Sequence, residues 1–387
     1  MSTFPANNMM RTLNSRARAF PRKRPWRPRP SDTIAFMDLL VLGGTAFLGP
    51  EIVASAQRRG WKVTLFNRGK TRADLFPDLE TIRGDRDPAK GEGLKALEKA
   101  IADGRRWDGV IDTSGYRPQD VRASATLLAK AARHYVFVST VSVYASMATP
   151  NADESAAVGT IETPEEQKLS NETYGPLKAL CEQESLKAFG ERCSVLRPGL
   201  IVGPGDPTDR FTYWPVRIAR GGRVLVPGPK EPRKALISFV DVRDCGEFCV
   251  RCIADGHGGT YNVTGPAGPL TFDEMVDGCK ACTAASVEFV PIDETYLLET
   301  AKVSPWMGLP LWLPEDPQFA GAGNISRARA VAAGCTFRPL ADTVRDTLAW
   351  WNKQHPEAYV WGAKPGQPGL SAERESTIIT EWEASKK

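Results

Sequence analysis

The sequence predicts an α/β protein in which a doubly wound parallel sheet carries a smaller, mainly C-terminal lobe. Three observations support this class. An apolar run at residues 39–42 leads into a glycine-rich turn and then into a helical pattern. Short apolar runs alternate with helical patterns through the first half of the chain, which is typical of parallel strands joined by helices. After residue 200 the sequence becomes rich in Gly, Pro and Arg and loses this alternation, so a second lobe is expected.

The turn at residues 43–49 joins the first predicted strand to the first predicted helix. Gly43 can adopt a positive φ, and Gly49 allows the helix to pack closely on the strand. A helix N-terminus offers unpaired N–H groups and the positive end of the helix dipole, so it favours a phosphate. The turn therefore predicts a dinucleotide site. Because Ala46 stands where the three-glycine fingerprint has a glycine, a tight turn in another kind of α/β protein is the alternative.

Four further strands complete the first half of the predicted sheet, at residues 62–66, 79–82, 109–112 and 135–139. The helices between them are expected at residues 50–59, 93–102 and 118–133. Later in the chain, a strand leading into a helix is expected over residues 237–250 and a short strand at 260–263. Ligands of such sheets bind beyond the carboxyl ends of the strands, where the strand order reverses.

The predicted body of the protein has two lobes and a tail. A dinucleotide-binding domain comprises residues 37–202 and about 236–265. A substrate-binding lobe comprises residues 203–235 and 266–361. The C-terminal tail, residues 362–387, is expected to be peripheral and to end in a polar helix.

The positive charge of the chain is concentrated in a leader, residues 1–36. It has eight Arg and Lys residues and one Asp, a net charge of +7, so the rest of the chain carries −3. We expect the leader to be disordered. It is either an organelle transit peptide or an extension upstream of Met37, and we favour the extension. The mildly acidic body disfavours nucleic acid as a partner. No apolar run approaches the roughly twenty residues of a membrane span, so we predict a cytoplasmic protein without a membrane partner.

Two CxxC pairs raise the question of a metal site: Cys249 with Cys252, and Cys279 with Cys282. Such pairs can hold zinc. Both fall in segments with helical apolar periodicity, however, where small buried cysteines are the commoner explanation. We therefore predict no metal site, and the cysteines give no reason to expect an oxidising compartment.

Tyr174 and Lys178 are four residues apart, so in a helix they lie on one face. An ammonium beside a phenol stabilises the phenolate and lowers the pKa of the tyrosine. Such a tyrosine can exchange a proton with an alcohol oxygen near neutral pH. The pair follows the fifth predicted strand, which ends in Ser139 and Thr140. Because this spacing is also common on solvated helix faces, the interpretation depends on the combination of motifs.

Three motifs occur in order: the glycine turn 43–49, the strand end 139–144 and the Tyr-x-x-x-Lys segment 174–178. Together they resemble the short-chain dehydrogenase/reductase superfamily, and most closely its extended branch, which includes the NAD-dependent epimerase/dehydratase group. Residues 196–205 resemble the sixth strand and following loop of that branch. The resemblance covers about residues 37–265 and extends only loosely to the C-terminal lobe. It implies a Rossmann-like fold and hydride transfer between a nicotinamide cofactor and a secondary alcohol or ketone.

The resemblance also implies a role for each matching position. Tyr174 would be the general acid/base, and Lys178 would lower its pKa and bind the nicotinamide ribose. Thr140 would be the catalytic hydroxyl, with Ser139 as the alternative. Asp85 would contact the adenine. The other implied cofactor contacts lie in the glycine turn and after the fourth and sixth strands: Gly43, Thr45, Ala46, Phe47, Leu48, Gly49, Thr113, Ser114, Gly115, Pro198 and Ile201.

The end of the second strand bears on the choice of cofactor. Asn67 and Arg68 stand there, with Lys70 nearby, where an acidic residue would hold the ribose of NAD. No carboxylate would repel a 2′-phosphate, and Arg68 could bind one. The sequence therefore favours NADP(H), with NAD(H) as the alternative if these residues are only surface charges.

The expected substrate is a sugar, a sugar nucleotide or a similar polar ring. Val141 and Ser142 follow Thr140 where sugar-nucleotide 4,6-dehydratases carry an Asp-Glu pair, so dehydratase chemistry is excluded. The enzyme classes that remain are an oxidoreductase and an epimerase. The resemblance is also compatible with a homodimer. Four arginines could clamp a diphosphate or a carboxylate, or could lie on a solvated helix face: Arg210, Arg217, Arg220 and Arg223.

A rival hypothesis comes from the form of the glycine turn. With residues 67–69, it also resembles a subgroup that contains chloroplast RNA-binding proteins, so a non-catalytic RNA-binding protein is the alternative. A protein that has lost catalysis need not keep Tyr174, Lys178 and a hydroxyl at the strand end. This chain keeps all three, which favours the enzyme.

Overall fold

The computed structural model describes residues 36–228, 236–355 and 359–387. The predictions for the leader therefore lie outside the described residues, apart from its last position. The strands, in chain order, are β1 Asp38–Leu42, β2 Lys62–Asn67, β3 Glu80–Arg83, β4 Trp107–Asp112, β5 Ala132–Val138, β6 Cys193–Pro198, β7 Leu200–Val202, β8 Gly222–Pro227, β9 Phe239–Asp241, β10 Gly259–Val263, β11 Val287–Ile292, β12 Pro305–Trp306 and β13 Leu309–Pro310. The α-helices are α1 Leu48–Arg58, α2 Lys95–Ala102, α3 Pro118–Leu128, α4 Asn171–Phe189, α5 Tyr213–Ala219, α6 Val242–Asp255, α7 Phe272–Ala281, α8 Ala328–Ala332, α9 Leu340–Gln354 and α10 Ala372–Ala384.

The central sheet has seven strands in the order β10-β6-β5-β4-β1-β2-β3, and every neighbouring pair is parallel. The strand order reverses at β1, which lies between β2 and β4. This confirms the predicted doubly wound α/β class. It also places the glycine turn, which follows β1, at the point where such sheets bind ligands.

The sheet is covered on both faces, and β1 shows why its sequence is continuously apolar. Leu39 and Val41 pack in the cluster that contains residues of α1 and α6. Leu40 and Leu42 point the other way and pack in the cluster that contains residues of α3 and α4. A parallel strand buried on both faces has no polar side to alternate with. The helix expected at residues 118–133 ends earlier, at Leu128, because the chain turns there to enter β5.

The smaller lobe has its own core, built on the parallel pair β8 and β11. Residues of α5, α7, α9 and α10 pack in that core. The C-terminal segment differs from the predicted peripheral tail, since Ile378 and Ile379 of α10 are buried. Glu375, also buried, accepts hydrogen bonds from Arg217 Nε at 2.6 Å and from the backbone N–H of Leu225 at 2.9 Å. Helix α10 is therefore an integral layer of the lobe.

The division between the lobes also differs from the predicted boundaries. Ala330 of α8 and Cys335 are buried in the cluster beneath the central sheet, although they belong to the segment expected in the substrate lobe. Arg338 pairs with Asp244 of α6 at 2.7 Å. The chain thus returns to the dinucleotide-binding domain after building most of the lobe.

The two CxxC pairs lie where helices were expected. Cys249 and Cys252 are buried on α6, and Cys279 is buried on α7, with Cys282 directly after that helix. Among the described residues, no helix combines the length and the apolar character that crossing a membrane requires.

Candidate active site

The glycine turn has the geometry of a phosphate cradle. Gly43 and Gly44 have φ values of 105° and 92°, which L-residues with side chains rarely adopt. A Cβ added to Gly49 would lie 2.5 Å from the Gly44 carbonyl carbon, so the close contact between α1 and the turn requires glycine. No side chain caps the N-terminus of α1. Gly49 donates its N–H to the Ala46 carbonyl oxygen at 2.8 Å, and Pro50 has no N–H. The attraction for an anion therefore comes mainly from the positive end of the helix dipole, and the presence of Ala46 leaves the turn intact.

A cleft with a volume of about 600 Å³ opens in front of this turn. Most of the predicted site residues line it: Gly43, Thr45, Ala46, Phe47, Leu48, Asn67, Arg68, Lys70, Asp85, Thr113, Ser114, Ser139, Tyr174, Lys178 and Ile201. The other predicted contacts are placed differently. Gly49 supports the turn from behind, and Pro198 is buried within the sheet, where it pairs with Val263. Gly115 accepts a hydrogen bond from Lys178, and Thr140 directly follows Ser139 at the end of β5.

Helix α4 carries the tyrosine and the lysine to the edge of the cleft. Ser170 and Thr173 form a capping box at its N-terminus, which places Tyr174 in the first turn. Between the two functional residues lies Gly175, where a Cβ would be 2.0 Å from the Ser142 carbonyl oxygen. This glycine therefore lets α4 touch the loop after β5, and so brings Tyr174 towards Thr140. The sequence signal for this contact is Gly175, a residue whose role the sequence motifs do not explain.

Lys178 is buried beneath the site, with 3% of its surface exposed. Its ammonium donates hydrogen bonds to the carbonyl oxygens of Gly115 and Val138, both at 2.7 Å, and lies 4.2 Å from the centre of the Phe137 ring. Burial lowers the pKa of Lys178 to about 8. An ammonium has three donors, so these two bonds leave one for a further acceptor.

Tyr174 differs from the expectation that its pKa would be lowered. Burial and the neighbouring phenol of Tyr116, whose ring centre is 6.5 Å away, raise the pKa of Tyr174. The Thr140 hydroxyl and the Arg210 guanidinium act in the opposite direction. Lys178 does not lower the pKa of Tyr174 because its ammonium is directed at two backbone carbonyls. In this state Tyr174 is a neutral phenol that can donate a proton.

The two candidate catalytic hydroxyls at the end of β5, those of Ser139 and Thr140, have different hydrogen-bond partners. Ser139 donates a hydrogen bond of 2.5 Å to Glu182 of α4. Glu182 is also bound by Arg197 of β6 at 2.7 Å, and Arg197 donates to the Tyr144 hydroxyl at 3.1 Å. Ser139 thus belongs to a buried network that holds the strand end in place. The Thr140 hydroxyl donates to the Ser142 hydroxyl at 3.1 Å and accepts from the Ser142 N–H at 3.1 Å, and it acts to lower the pKa of Tyr174.

A second buried network, which sequence reasoning missed, forms the floor of the cleft. Arg86 makes a bidentate ion pair with Asp112 at the end of β4, with distances of 2.5 and 2.7 Å. The Tyr135 hydroxyl donates to the same carboxylate at 2.7 Å. Although burial acts to raise it, the Arg86 guanidinium keeps the pKa of Asp112 below its ordinary value. The pair ties the loop that carries Asp85 to the middle of the sheet.

The far end of the cleft is basic. Arg68 is 56% exposed and lies 3.9 Å from Asp85. The Asn67 amide donates to the Gly43 carbonyl at 3.1 Å and accepts a bond of 2.5 Å from Arg83, a cation that the sequence did not single out. Three positively charged side chains therefore surround the end of β2: Arg68, Lys70 and Arg83.

Three of the four arginines considered for an anionic substrate have structural partners. Arg217 binds Glu375, and Arg223 binds Glu383, so both hold α10 against the lobe. Arg220 donates to the Tyr359 carbonyl oxygen at 3.1 Å. Arg210 is the member of this group whose charge acts to lower the pKa of Tyr174.

The fold and the cleft define a Rossmann-like dinucleotide-binding domain, with a tyrosine and a lysine at the edge of the site. The profile of the NAD-dependent epimerase/dehydratase family matches residues 39–264, which is more than half of the chain. The protein therefore belongs to this family, as the resemblance implied.

Individual proteins agree with this assignment. A 2-alkyl-3-oxoalkanoate reductase from Stenotrophomonas maltophilia is 29% identical over 183 residues, which are 44% of this chain and 52% of the reductase. The match thus spans about half the length of that relative. The structure of the Bordetella bronchiseptica enzyme WbmG in complex with NAD and UDP superimposes with a TM-score of 0.59 at 16% identity, over 82% of this chain and 95% of WbmG. UDP-glucose 4-epimerase from Thermotoga maritima gives 0.56 at 15% identity, over 82% and 99% of the two chains.

At these identities the two structures establish the fold, and the family match establishes the class of enzyme. The chain is an enzyme of the short-chain dehydrogenase/reductase type from an NAD-dependent family. The RNA-binding alternative gains no support from these matches.

Proposed function

We propose that this enzyme oxidises or reduces a secondary alcohol or ketone, with Tyr174 as the general acid/base. One observation carries the proposal. Tyr174 and the buried Lys178 both line the cleft that opens in front of the glycine turn. A nicotinamide dinucleotide, when bound there, supplies a hydride donor or acceptor.

The side chains of the protein transfer the proton and position the substrate and the cofactor. The neutral Tyr174 phenol donates its proton to the oxygen of a ketone during reduction and accepts one from an alcohol during oxidation. Thr140 orients that oxygen by a hydrogen bond. Lys178 uses its remaining N–H for a ribose hydroxyl, while Gly115 and Val138 hold its position.

For the cofactor we infer a preference for NADP(H) over NAD(H). The end of β2 has an amide, Asn67, instead of the carboxylate that would bind the ribose of NAD. Arg68 and Arg83 stand beside it and suit a 2′-phosphate, although Asp85 offsets part of that charge. The solved relatives named above include one in complex with NAD, so NAD remains the alternative.

For the substrate, two classes have support. A sugar or sugar nucleotide is supported by the fold shared with enzymes solved in complex with UDP or UDP-glucose. An oxo acid is supported by the 2-alkyl-3-oxoalkanoate reductase. A transient oxidation with return of the hydride would give an epimerase, and the same three residues would serve it. A homodimer and a cytoplasmic location stay predictions.

The replacement Tyr174→Phe tests the proposal. Turnover of a panel of ketones, oxo acids and sugar nucleotides is followed by nicotinamide absorbance, and dinucleotide binding by fluorescence. We expect turnover to fall by about 10²- to 10⁴-fold, since the proton donor is lost. Dinucleotide affinity should stay within about twofold, because the bulk of the cleft is unchanged. Tyr296→Phe, in the other lobe, is the matched control. Turnover that survives Tyr174→Phe would remove this residue from the mechanism.

A further inference from the structure

We propose that the substrate is an oxo or hydroxy acid whose carboxylate binds Arg210 and whose apolar part fills a pocket beside Trp306. This inference rests on the proposed function and deepens it by naming the substrate class. It is carried by a half-buried guanidinium that, among the described residues, has no carboxylate within 4.0 Å, by its place over the Trp306 ring, and by the character of the adjoining pocket.

Arg210 lies in the loop between β7 and α5. Its Nε donates to the Thr208 hydroxyl at 3.2 Å. Within the described ranges, no carboxylate oxygen lies within 4.0 Å of its guanidinium, in contrast to Arg217 and Arg223. Burial lowers the pKa of Arg210, and the nearby Asp206 only partly compensates. A half-buried guanidinium that lacks a carboxylate can bind one bidentately.

The position of Arg210 links the reacting group to a second cavity. On one side its charge acts on the Tyr174 phenol. On the other its guanidinium carbon lies 5.5 Å from the centre of the Trp306 ring. A substrate whose reacting oxygen is held by Tyr174 and whose carboxylate is held by Arg210 would therefore be an oxo or hydroxy acid.

The second cavity has a volume of about 370 Å³ and a largely apolar wall. Its lining includes Ile237, Phe272, Trp306, Leu311, Trp312 and Phe319. Cavities of this size and lining suit small organic ligands. Glu315 and Asp316 at its wall would repel a second anionic group, so the part of the substrate that enters must be uncharged.

The backbone around Trp306 supports a binding role. Trp306 and Leu311 have φ values of 65° and 62°, in the left-handed region that bulky residues avoid. The Trp306 N–H donates to the Trp312 carbonyl at 2.9 Å, which holds this conformation. Backbone strain of this kind costs about 1–3 kcal/mol per residue and clusters at ligand sites.

The same features disfavour a nucleoside diphosphate. Its two phosphates require several cations. Arg217, Arg220 and Arg223 are occupied by structural partners, so Arg210 is the member of this group that remains for an anion.

The test compares straight-chain 3-oxo acids of increasing length with their methyl esters and with UDP-glucose. Reaction is followed by nicotinamide absorbance, and binding by calorimetry in the presence of dinucleotide. We expect kcat/KM to rise about fourfold per methylene until the pocket is full. Esters should be about 10- to 100-fold poorer than acids, because they lack the charge that Arg210 binds.

Two variants and one control test whether Arg210 causes the difference between acid and ester and whether the pocket causes the dependence on chain length. Arg210→Met should abolish the difference between acid and ester, whereas Arg345→Met, which removes an exposed charge from α9, should preserve it. Ala322→Phe, which fills the pocket, should weaken long acids and leave the shortest unchanged. If the 3-oxo acids neither react nor bind, or if affinity is independent of chain length and of Arg210, the inference is overturned even when UDP-glucose reacts. If no compound on the panel shows Tyr174-dependent nicotinamide turnover, the proposed function fails instead.

Discussion

The replacement Lys178→Met provides a quantitative test of the buried ammonium. The pKa of Lys178 is lowered from 10.5 to about 8, mainly by burial, with Cys181, Asp112 and Glu182 opposing the shift and Arg86 adding to it. One pH unit corresponds to about 1.4 kcal/mol, so the charged form costs the folded state about 3 kcal/mol at neutral pH. We expect that cost to disappear as the pH rises.

The direction follows from the protons that each state binds. Between the pKa values of the folded and the unfolded chain, the unfolded lysine holds a proton that the folded lysine has lost. Raising the pH therefore favours the folded state. From about pH 7.5 to pH 9.5, the contribution of Lys178 to the free energy of unfolding should increase by about 2 kcal/mol.

Urea unfolding of the wild type and of Lys178→Met at several pH values measures this contribution. Other buried groups, including Cys193 and Cys279 with their raised pKa values, titrate equally in both proteins. The difference between the two proteins therefore isolates Lys178. A difference that stays constant over this pH range would refute a buried ammonium with a lowered pKa. It would also remove the basis for its proposed role.

Two further predictions concern the cofactor. Gly49→Ala should lower the free energy of unfolding by about 1–3 kcal/mol and abolish dinucleotide binding, because its Cβ would lie 2.5 Å from the Gly44 carbonyl carbon. Gly268→Ala, where a Cβ meets nothing within 4 Å, should alter neither property. Arg68→Ala should weaken NADP binding about 10-fold or more and NAD binding less than about twofold, as measured by fluorescence titration. The exposed Lys62→Ala is the control, and equal losses for both dinucleotides would end the 2′-phosphate argument.

The fold class was predictable because its signals are local. A strand buried on both faces must be continuously apolar, a tight turn needs glycine at a positive φ, and a helix repeats its buried face every three or four residues. The cofactor cleft was predictable for the same reason, since the glycine turn and the ends of the parallel strands place their residues at one edge. The Tyr-x-x-x-Lys spacing likewise put both side chains on one face of α4.

The chain by itself therefore determined the sheet, the cleft at the glycine turn and the helix that carries Tyr174. Tertiary structure alone decided how the charged and hydroxyl groups pair: Ser139 with Glu182, Lys178 with two carbonyls, and Arg217 with a glutamate 158 residues away. It also decided that one face of α10 is buried and that, within the part of the chain that the structure describes, Arg210 has no carboxylate partner. The physical reason is that apolar periodicity and backbone conformation depend on neighbours in sequence, whereas the pairing of polar groups depends on which segments the finished fold brings within hydrogen-bonding distance.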